Sequence, residues 1–331
     1  MELRFDYIRQ LLSVWLAHDG RRQVELAALE PLLWRDGHYQ VPDLVAYLKD
    51  RGCTVSLTTN GSLLDRHASS LKQAGVDLVR LSWHTLNPET FAQITGQNSY
   101  RRFFAGLESA IDYGLPLAIN RVLLKGHSTD LADQIAFIDA HQLRLKLLDL
   151  YWMPDMAEQY QRFYLSPQEA ITRFTAPRTL ILQGRTSSTH GGRDRIRYHT
   201  PHGGIVEYKL GEEARRSARS CQLCPHHANC LEGFADYLRV FPDESLSLCY
   251  LRRELGQSMP ADQLAALPAW LAGHEQGLQM PLRLVLTGQC NFNCGFPGST
   301  QSWCLKQGRG FRFPPRHAVQ SLGERIDVRL S

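Results

Sequence analysis

Residues 54–83 read TVSLTTNGSLLDRHASSLKQAGVDLVRLSW, and the fold turns on this stretch. Thr54–Thr59 alternates and is rich in β-formers, which predicts a strand. Asn60-Gly61 turns the chain, Ser62 stands where a helix needs its cap, and Gly75 stands where that helix should end. Val76–Trp83 then predicts a second strand. Strand, helix and strand in that order predict a parallel pair with a covering crossover.

The same unit recurs on both sides. Upstream, Phe5, Ile8, Leu11, Leu12 and Trp15 repeat at helical spacing. Gln23–Ala28 reads as a short buried strand, and a helix follows with Pro42 in its first turn and Gly52 just past its end. Downstream come a short helix opened by Pro88, a longer one from Ser99 to Gly114, a strand over Leu115–Leu124, a helix from Ser128 and a strand over Leu143–Leu150. The expected class is α/β: a partial barrel of the TIM type with parallel strands, to which a small Cys-rich region is appended. Ligands of such sheets sit at the carboxyl ends of the strands. That places Glu30, Thr58 to Gly61, Ser82 to Thr85, Asn120 and Asp149 at the mouth.

Composition narrows the class. With 331 residues, 43% hydrophobic and 21% charged, the chain has material for a full core. No run approaches ~18 apolar residues, so a membrane span is not expected. The start, Met-Glu-Leu-Arg-Phe-Asp, lacks the pattern of a secretory signal, which makes a cytoplasmic location the expectation. The net charge of +4 resides in residues 306–331, where six Lys or Arg face two Asp or Glu. A mixed basic tail of that kind does not predict specific nucleic-acid binding. No Gly-x-Ser-x-Gly elbow or Gly-x4-Gly-Lys loop signals a hydrolase or a phosphate cradle.

Seven of the eight cysteines fall into two groups. Cys221, Cys224, Cys230 and Cys249 offer four thiolates in a polar segment, enough to close a zinc site or to hold a four-iron cluster. Spacing does not separate the two metals. His226 and His227 lie between the cysteines and are expected as exposed loop residues. Cys290 and Cys294 follow a clean strand over 282–287, and Cys304 lies ten residues further on. The expected organisation is a partial barrel over 1–205, a metal-cluster region over 206–256, a helical linker over 257–280, a strand and cysteine loop over 281–304, and a basic tail over 305–331.

These segments resemble the radical S-adenosylmethionine (radical SAM) superfamily, and within it the MoaA-like group (molybdenum-cofactor biosynthesis protein A). Leu29-Glu30-Pro31-Leu32-Leu33 resembles the group's Gly-Gly-Glu-Pro-Leu-Leu segment, and Thr58-Thr59-Asn60-Gly61 its Thr-Thr-Asn-Gly strand end. Val79-Arg80-Leu81-Ser82, Leu86 to Phe91 and Ile119 to Gly126 continue the likeness. Cys230-Leu231-Glu232-Gly233 and Leu246-Ser247-Leu248-Cys249 resemble the auxiliary cluster site in its form with four cysteines.

The resemblance implies a cofactor set: S-adenosylmethionine, an auxiliary [4Fe-4S] cluster and a second cluster at the S-adenosylmethionine site. Reductive cleavage would give a 5′-deoxyadenosyl radical that abstracts hydrogen from a peptide, nucleotide or small metabolite. An electron donor such as flavodoxin or ferredoxin would serve it. Glu30 would accept from the methionine amino group, while Thr59, Asn60, Ser82 and Asn120 would line the cofactor. Cys290 and Cys294, with Cys304 as third, would be ligands of the radical-generating cluster; no residue is assigned to the hydrogen abstraction itself.

Three departures qualify the likeness. The family's first strand and its Cys-x3-Cys-x2-Cys loop should precede the first helix; a segment of that kind stands at 282–297 instead, after the auxiliary site. Its third cysteine position is Pro297, and Ala28 and Leu29 replace the Gly-Gly pair. The order fits a circularly permuted barrel, with strand 282–287 parallel beside Gln23–Ala28, or a truncated domain fused to the start of another. An inactive relative that retains one cluster, and a zinc-ribbon-type binding module, are the alternatives to an enzyme.

Overall fold

The computed structural model describes residues 3–27, 30–153, 156–176, 179–186, 194–210, 219–230, 234–249, 251–273 and 283–286. Its strands, in chain order, are β1 (Gln23–Ala27), β2 (Arg35–Asp36), β3 (Tyr39–Gln40), β4 (Thr54–Thr59), β5 (Leu78–Ser82), β6 (Leu117–Val122) and β7 (Arg144–Leu148). After these come β8 (Ile181–Thr186), β9 (Arg195–His199), β10 (Ile205–Lys209), β11 (Phe234–Val240), β12 (Ser245–Cys249), β13 (Gln257–Ser258) and β14 (Arg283–Leu286).

All but the β2–β3 pair join one twelve-stranded sheet in the order β13-β12-β11-β14-β1-β4-β5-β6-β7-β10-β9-β8. From β11 to β10 every neighbouring pair is parallel. The hairpins β8–β9 and β11–β12–β13 then flank this parallel core with antiparallel pairings.

The displaced strand stands where the sequence places it. β14 pairs parallel with β1, with Val24 opposite Leu284 and Leu26 opposite Leu286. On its other side it pairs parallel with β11, with Leu238 opposite Leu284. The segment over 206–256 therefore does more than carry cysteines: it supplies β10 on one flank and β11 to β12 on the other.

Helices α1 (Phe5–Ala17), α2 (Val41–Asp50), α3 (Leu64–Ala74), α4 (Pro88–Thr95), α5 (Tyr100–Asp112) and α6 (Leu131–Ala140) cover one face of the sheet. Gly75 ends α3 in the left-handed conformation, as expected. Ser62 does not cap it. The helix starts after Leu63 without a side-chain cap, because the Ser62 amide is held by the Asn60 carboxamide oxygen at 2.9 Å in a local turn.

Strand alternation gives the sheet two unlike faces. Val24, Leu26, Val55, Leu57, Val79, Leu81, Ile119, Leu145, Leu147, Val206, Leu238, Leu284 and Leu286 point to the helices and are buried. The intervening positions point to the opposite, inner face. There Glu25, Ser56, Arg80, Ser82, Asn120 and Lys146 are only partly covered. Among the described residues no helix is long and apolar enough to cross a membrane.

Candidate functional site

The carboxyl end of the sheet is organised around Glu30. Its backbone is extended, and its side chain accepts from the Leu32 amide at 3.1 Å, capping the short 3-10 turn Pro31–Leu33. Thr59, the last residue of β4, donates its hydroxyl to the same carboxylate at 2.7 Å, and the Asn60 amide reaches it at 2.8 Å. One carboxylate thus ties the loop after β1 to the end of β4. Two ionised oxygens offer about four acceptor sites, and these three donors leave one over. Burial raises the Glu30 pKa, and the Thr59, Asn60 and Leu32 hydrogen bonds work against that rise.

The turn behind it is set by two glycines. Gly61 has φ +79°, and a Cβ there would meet Phe103 and Leu81 at 3.0 and 3.1 Å. A Cβ on Gly106 of α5 would stand 2.1 Å from the Gly61 carbonyl oxygen. Helix α5 can pack this closely on the Asn60-Gly61 turn only because both positions lack side chains.

Ser82 and Asn120 close the neighbouring corner as register partners on β5 and β6. The Asn120 side-chain oxygen is buried and has no hydrogen-bond partner. An orphaned acceptor at a strand's carboxyl end fits a ligand that brings a donor. Next along, His84 is buried and its Nδ1 accepts from the Val122 amide at 3.2 Å, which fixes the proton on Nε2. Glu30, Thr59, Asn60, Ser82 and Asn120 therefore all lie at one end of the parallel sheet, as expected.

Below that mouth the inner face is cationic. Arg80 and the Thr58 hydroxyl approach Glu25 at 3.5 and 3.3 Å. Glu207, 3% exposed, takes Arg195 at 3.5 Å and Arg197 at 3.1 Å, and lies opposite Lys146 in register. Burial depresses the Lys146 pKa well below the usual lysine value, and Lys209, Arg80 and Arg195 depress it further against the pull of Glu25. Among the described residues, five basic side chains (Arg80, Lys146, Arg195, Arg197, Lys209) thus share one face with the carboxylates of Glu25 and Glu207. The alternation of Val79-Arg80-Leu81 and Leu145-Lys146-Leu147 carried the signal for this face in the sequence.

The cysteine segment lies next to the mouth: His226 packs on Trp152, from the loop after β7, with ring centroids 5.5 Å apart. His226 and His227 are part-buried and engaged rather than exposed, since the His227 ring meets the Cys221 carbonyl at 2.8 Å. The His226 amide donates to the Cys224 sulfur at 3.4 Å, and the Arg252 amide to the Cys249 sulfur at 3.3 Å. Burial raises the Cys249 thiol pKa, the Arg252 and Leu251 amides lower it, and the nearby Cys230 raises it again. Amide-to-sulfur bonds of this kind suit thiolate ligands. Among the described residues no three His, Cys, Asp or Glu are gathered as one metal-holding group. Cys290, Cys294, Cys304 and Pro297 lie outside the described residues.

The family model for the radical SAM superfamily matches residues 1–137. A probable GTP 3′,8-cyclase of Methanothermobacter thermautotrophicus is 32% identical over 241 residues, covering 71% of this chain and 70% of that protein. This chain belongs to the radical SAM superfamily. A probable GTP 3′,8-cyclase of Thermococcus kodakarensis is 29% identical over 76% of each chain. The GTP 3′,8-cyclase of Rhizobium etli is 28% identical over 81% of this chain and 70% of its own length. Within the superfamily the chain is MoaA-like, and the family uses [4Fe-4S] clusters and S-adenosylmethionine.

Proposed function

We propose that this chain is a radical SAM enzyme whose substrate is an anionic small molecule of the phosphorylated-nucleoside type. The basic inner face carries this reading: among the described residues, five basic side chains against two carboxylates lie beneath the mouth that holds the proposed cofactor contacts. The relatives that this chain resembles in sequence bear a nucleotide in their names.

Glu30 holds the loop after β1 against β4, and its remaining acceptor site faces a methionine amino group. Asn120 offers its unpaired oxygen to the same ligand, beside Ser82, Thr59 and Asn60. Cys290 and Cys294, with Cys304, are the proposed ligands of the radical-generating cluster; in the chain they follow β14. Cys221, Cys224, Cys230 and Cys249 are the proposed ligands of the auxiliary cluster. When bound, cluster and S-adenosylmethionine supply a 5′-deoxyadenosyl radical that takes a hydrogen atom from the substrate. Arg80, Lys146 and Lys209 orient the anionic end of the substrate, and flavodoxin or ferredoxin is the proposed class of electron donor.

The test is anaerobic reconstitution, counting of iron, sulfide and zinc, and measurement of 5′-deoxyadenosine with and without GTP. Iron with sulfide, and product above a Cys290→Ala/Cys294→Ala control, is the expected result. Zinc without sulfide would replace the enzyme by a zinc-binding module; bound iron with no product above the control would leave an inactive relative.

A further inference from the structure

A second charged centre lies on the wrong face of the sheet. Arg121 follows Asn120 on β6, and its side chain therefore points into the apolar, helix-covered layer. Its register partner is Leu147, its neighbours on that face are Ile119 and Leu123, and its exposure is 0%. There it forms an ion pair with Asp130, just before α6, and donates to the Gln134 side-chain oxygen at 3.1 Å.

The partners of that pair all lead to one loop. Asp130 accepts from the Thr85 hydroxyl at 2.7 Å and from the Leu86 amide at 2.5 Å. Gln134 donates its amide to the Trp83 carbonyl at 3.0 Å, and the Thr85 hydroxyl in turn accepts from the Asn87 amide at 3.2 Å. The Trp83 amide donates to the Asn120 carbonyl at 3.0 Å. The network thus grips the residues that follow Ser82 and the residue that follows Asn120, while both of those side chains face the opposite side.

Stability does not account for it. A buried ion pair exchanged for apolar residues of similar volume is often neutral or stabilising, whereas removal of one partner alone is strongly destabilising. What such a pair does supply is fixed geometry, since its hydrogen bonds are directional where an apolar contact is not.

We propose that Arg121 and Asp130 are positioning residues for the cofactor end of the site, holding Ser82 and Asn120 in register from behind the sheet. The inference rests on the reading of Ser82 and Asn120 as cofactor contacts.

The test compares wild type, Asp130→Asn, Thr85→Val and the double variant Arg121→Met/Asp130→Leu, all anaerobically reconstituted. S-adenosylmethionine binding is read by equilibrium dialysis, stability by urea unfolding, and loop order by hydrogen exchange over residues 82–87. Asp130→Asn is expected to lose both stability and affinity. The double variant should unfold at a higher midpoint than Asp130→Asn, because no unpaired charge is left buried, yet bind about tenfold more weakly than wild type, a loss of the size that misplacing one or two hydrogen-bonding groups produces. It should also show faster exchange at Leu86. Wild-type affinity and wild-type protection in the double variant would overturn the proposal. If the double variant does not fold, Thr85→Val decides by the same two measurements. If wild type itself binds no S-adenosylmethionine, the cofactor reading fails. Unchanged loop protection in the variants would then separately sink the positioning role.

Discussion

The two faces of the central sheet are made by the same strands and have opposite characters. On the helix side, Leu57, Leu81, Leu145 and Leu147 are fully buried among α1 to α6. On the inner side, one residue along each strand, stand Thr58, Arg80 and Lys146, charged or polar and held together by few direct bonds. Alternation alone divides the work: one parity stabilises the sheet, and the other carries like charges that repel until something anionic joins them. The exception on the helix side, Arg121, is paired through both terminal nitrogens, with Gln134 and Asp130, while its buried Nε has no partner. On the inner side the basic side chains outnumber the carboxylates that pair with them among the described residues.

That contrast predicts a graded series of effects. The largest belongs to the helix face: Leu57→Ala should cost about 3 kcal/mol in urea unfolding, from lost transfer energy and the cavity left behind. A cost below about 1 kcal/mol there would mean that the layer is less tightly packed than its burial shows. Next comes Glu30→Ala, which strands the Leu32 and Asn60 amides and the Thr59 hydroxyl; about 1–3 kcal/mol is expected.

The inner face should behave in the opposite sense. Lys146→Met should leave stability unchanged or raise it, while binding of an anion such as GTP weakens, as read by calorimetry. The pH dependence sharpens this. The folded Lys146 pKa lies below its unfolded value, so between the two the unfolded chain binds more protons and stability rises with pH. That rise should span the interval from the lowered pKa up to about 10.4 and should vanish in Lys146→Met. A slope that persists in the variant would assign it to another group. The smallest effect is expected at the exposed pair Arg9–Asp6, 3.5 Å apart on α1, where Arg9→Ala should change stability by no more than about 0.5 kcal/mol.

The sequence made the helix face legible and the inner face mostly not. Period-two runs such as Thr54–Thr59, and Gly75 at the end of α3, are local signals, and the strands from β1 to β7 follow from them. The displaced strand was legible too, because its apolar alternation matched a vacancy beside β1. The antiparallel hairpin β8–β9 was not, since Ile181 and Leu182 sit exposed on an edge and Gly184 interrupts the run. The cysteines around β11 and β12 masked the strands that carry them. For the site, Glu30, Thr59, Asn60, Ser82 and Asn120 are found from strand ends. The meeting of Lys146 with Arg80 and Lys209, or of Arg121 with Asp130, depends on which strands become neighbours, and no local pattern records that.

The position of β14 has a consequence for how the protein is made. Val24 and Leu284 are register partners although 260 positions separate them in the chain. At ~5–20 residues per second, a ribosome needs about 13 to 52 seconds to travel that distance. Throughout that interval β1 presents an unpaired edge, the kind of surface on which nascent chains pair with the wrong neighbour. The β1–β4–β5–β6–β7 sheet can assemble as it emerges, but its join to β11 must wait for the last described strand. Translation speed and chaperone occupancy late in synthesis should therefore govern the yield of native protein more than they would for a barrel whose first strand is made first.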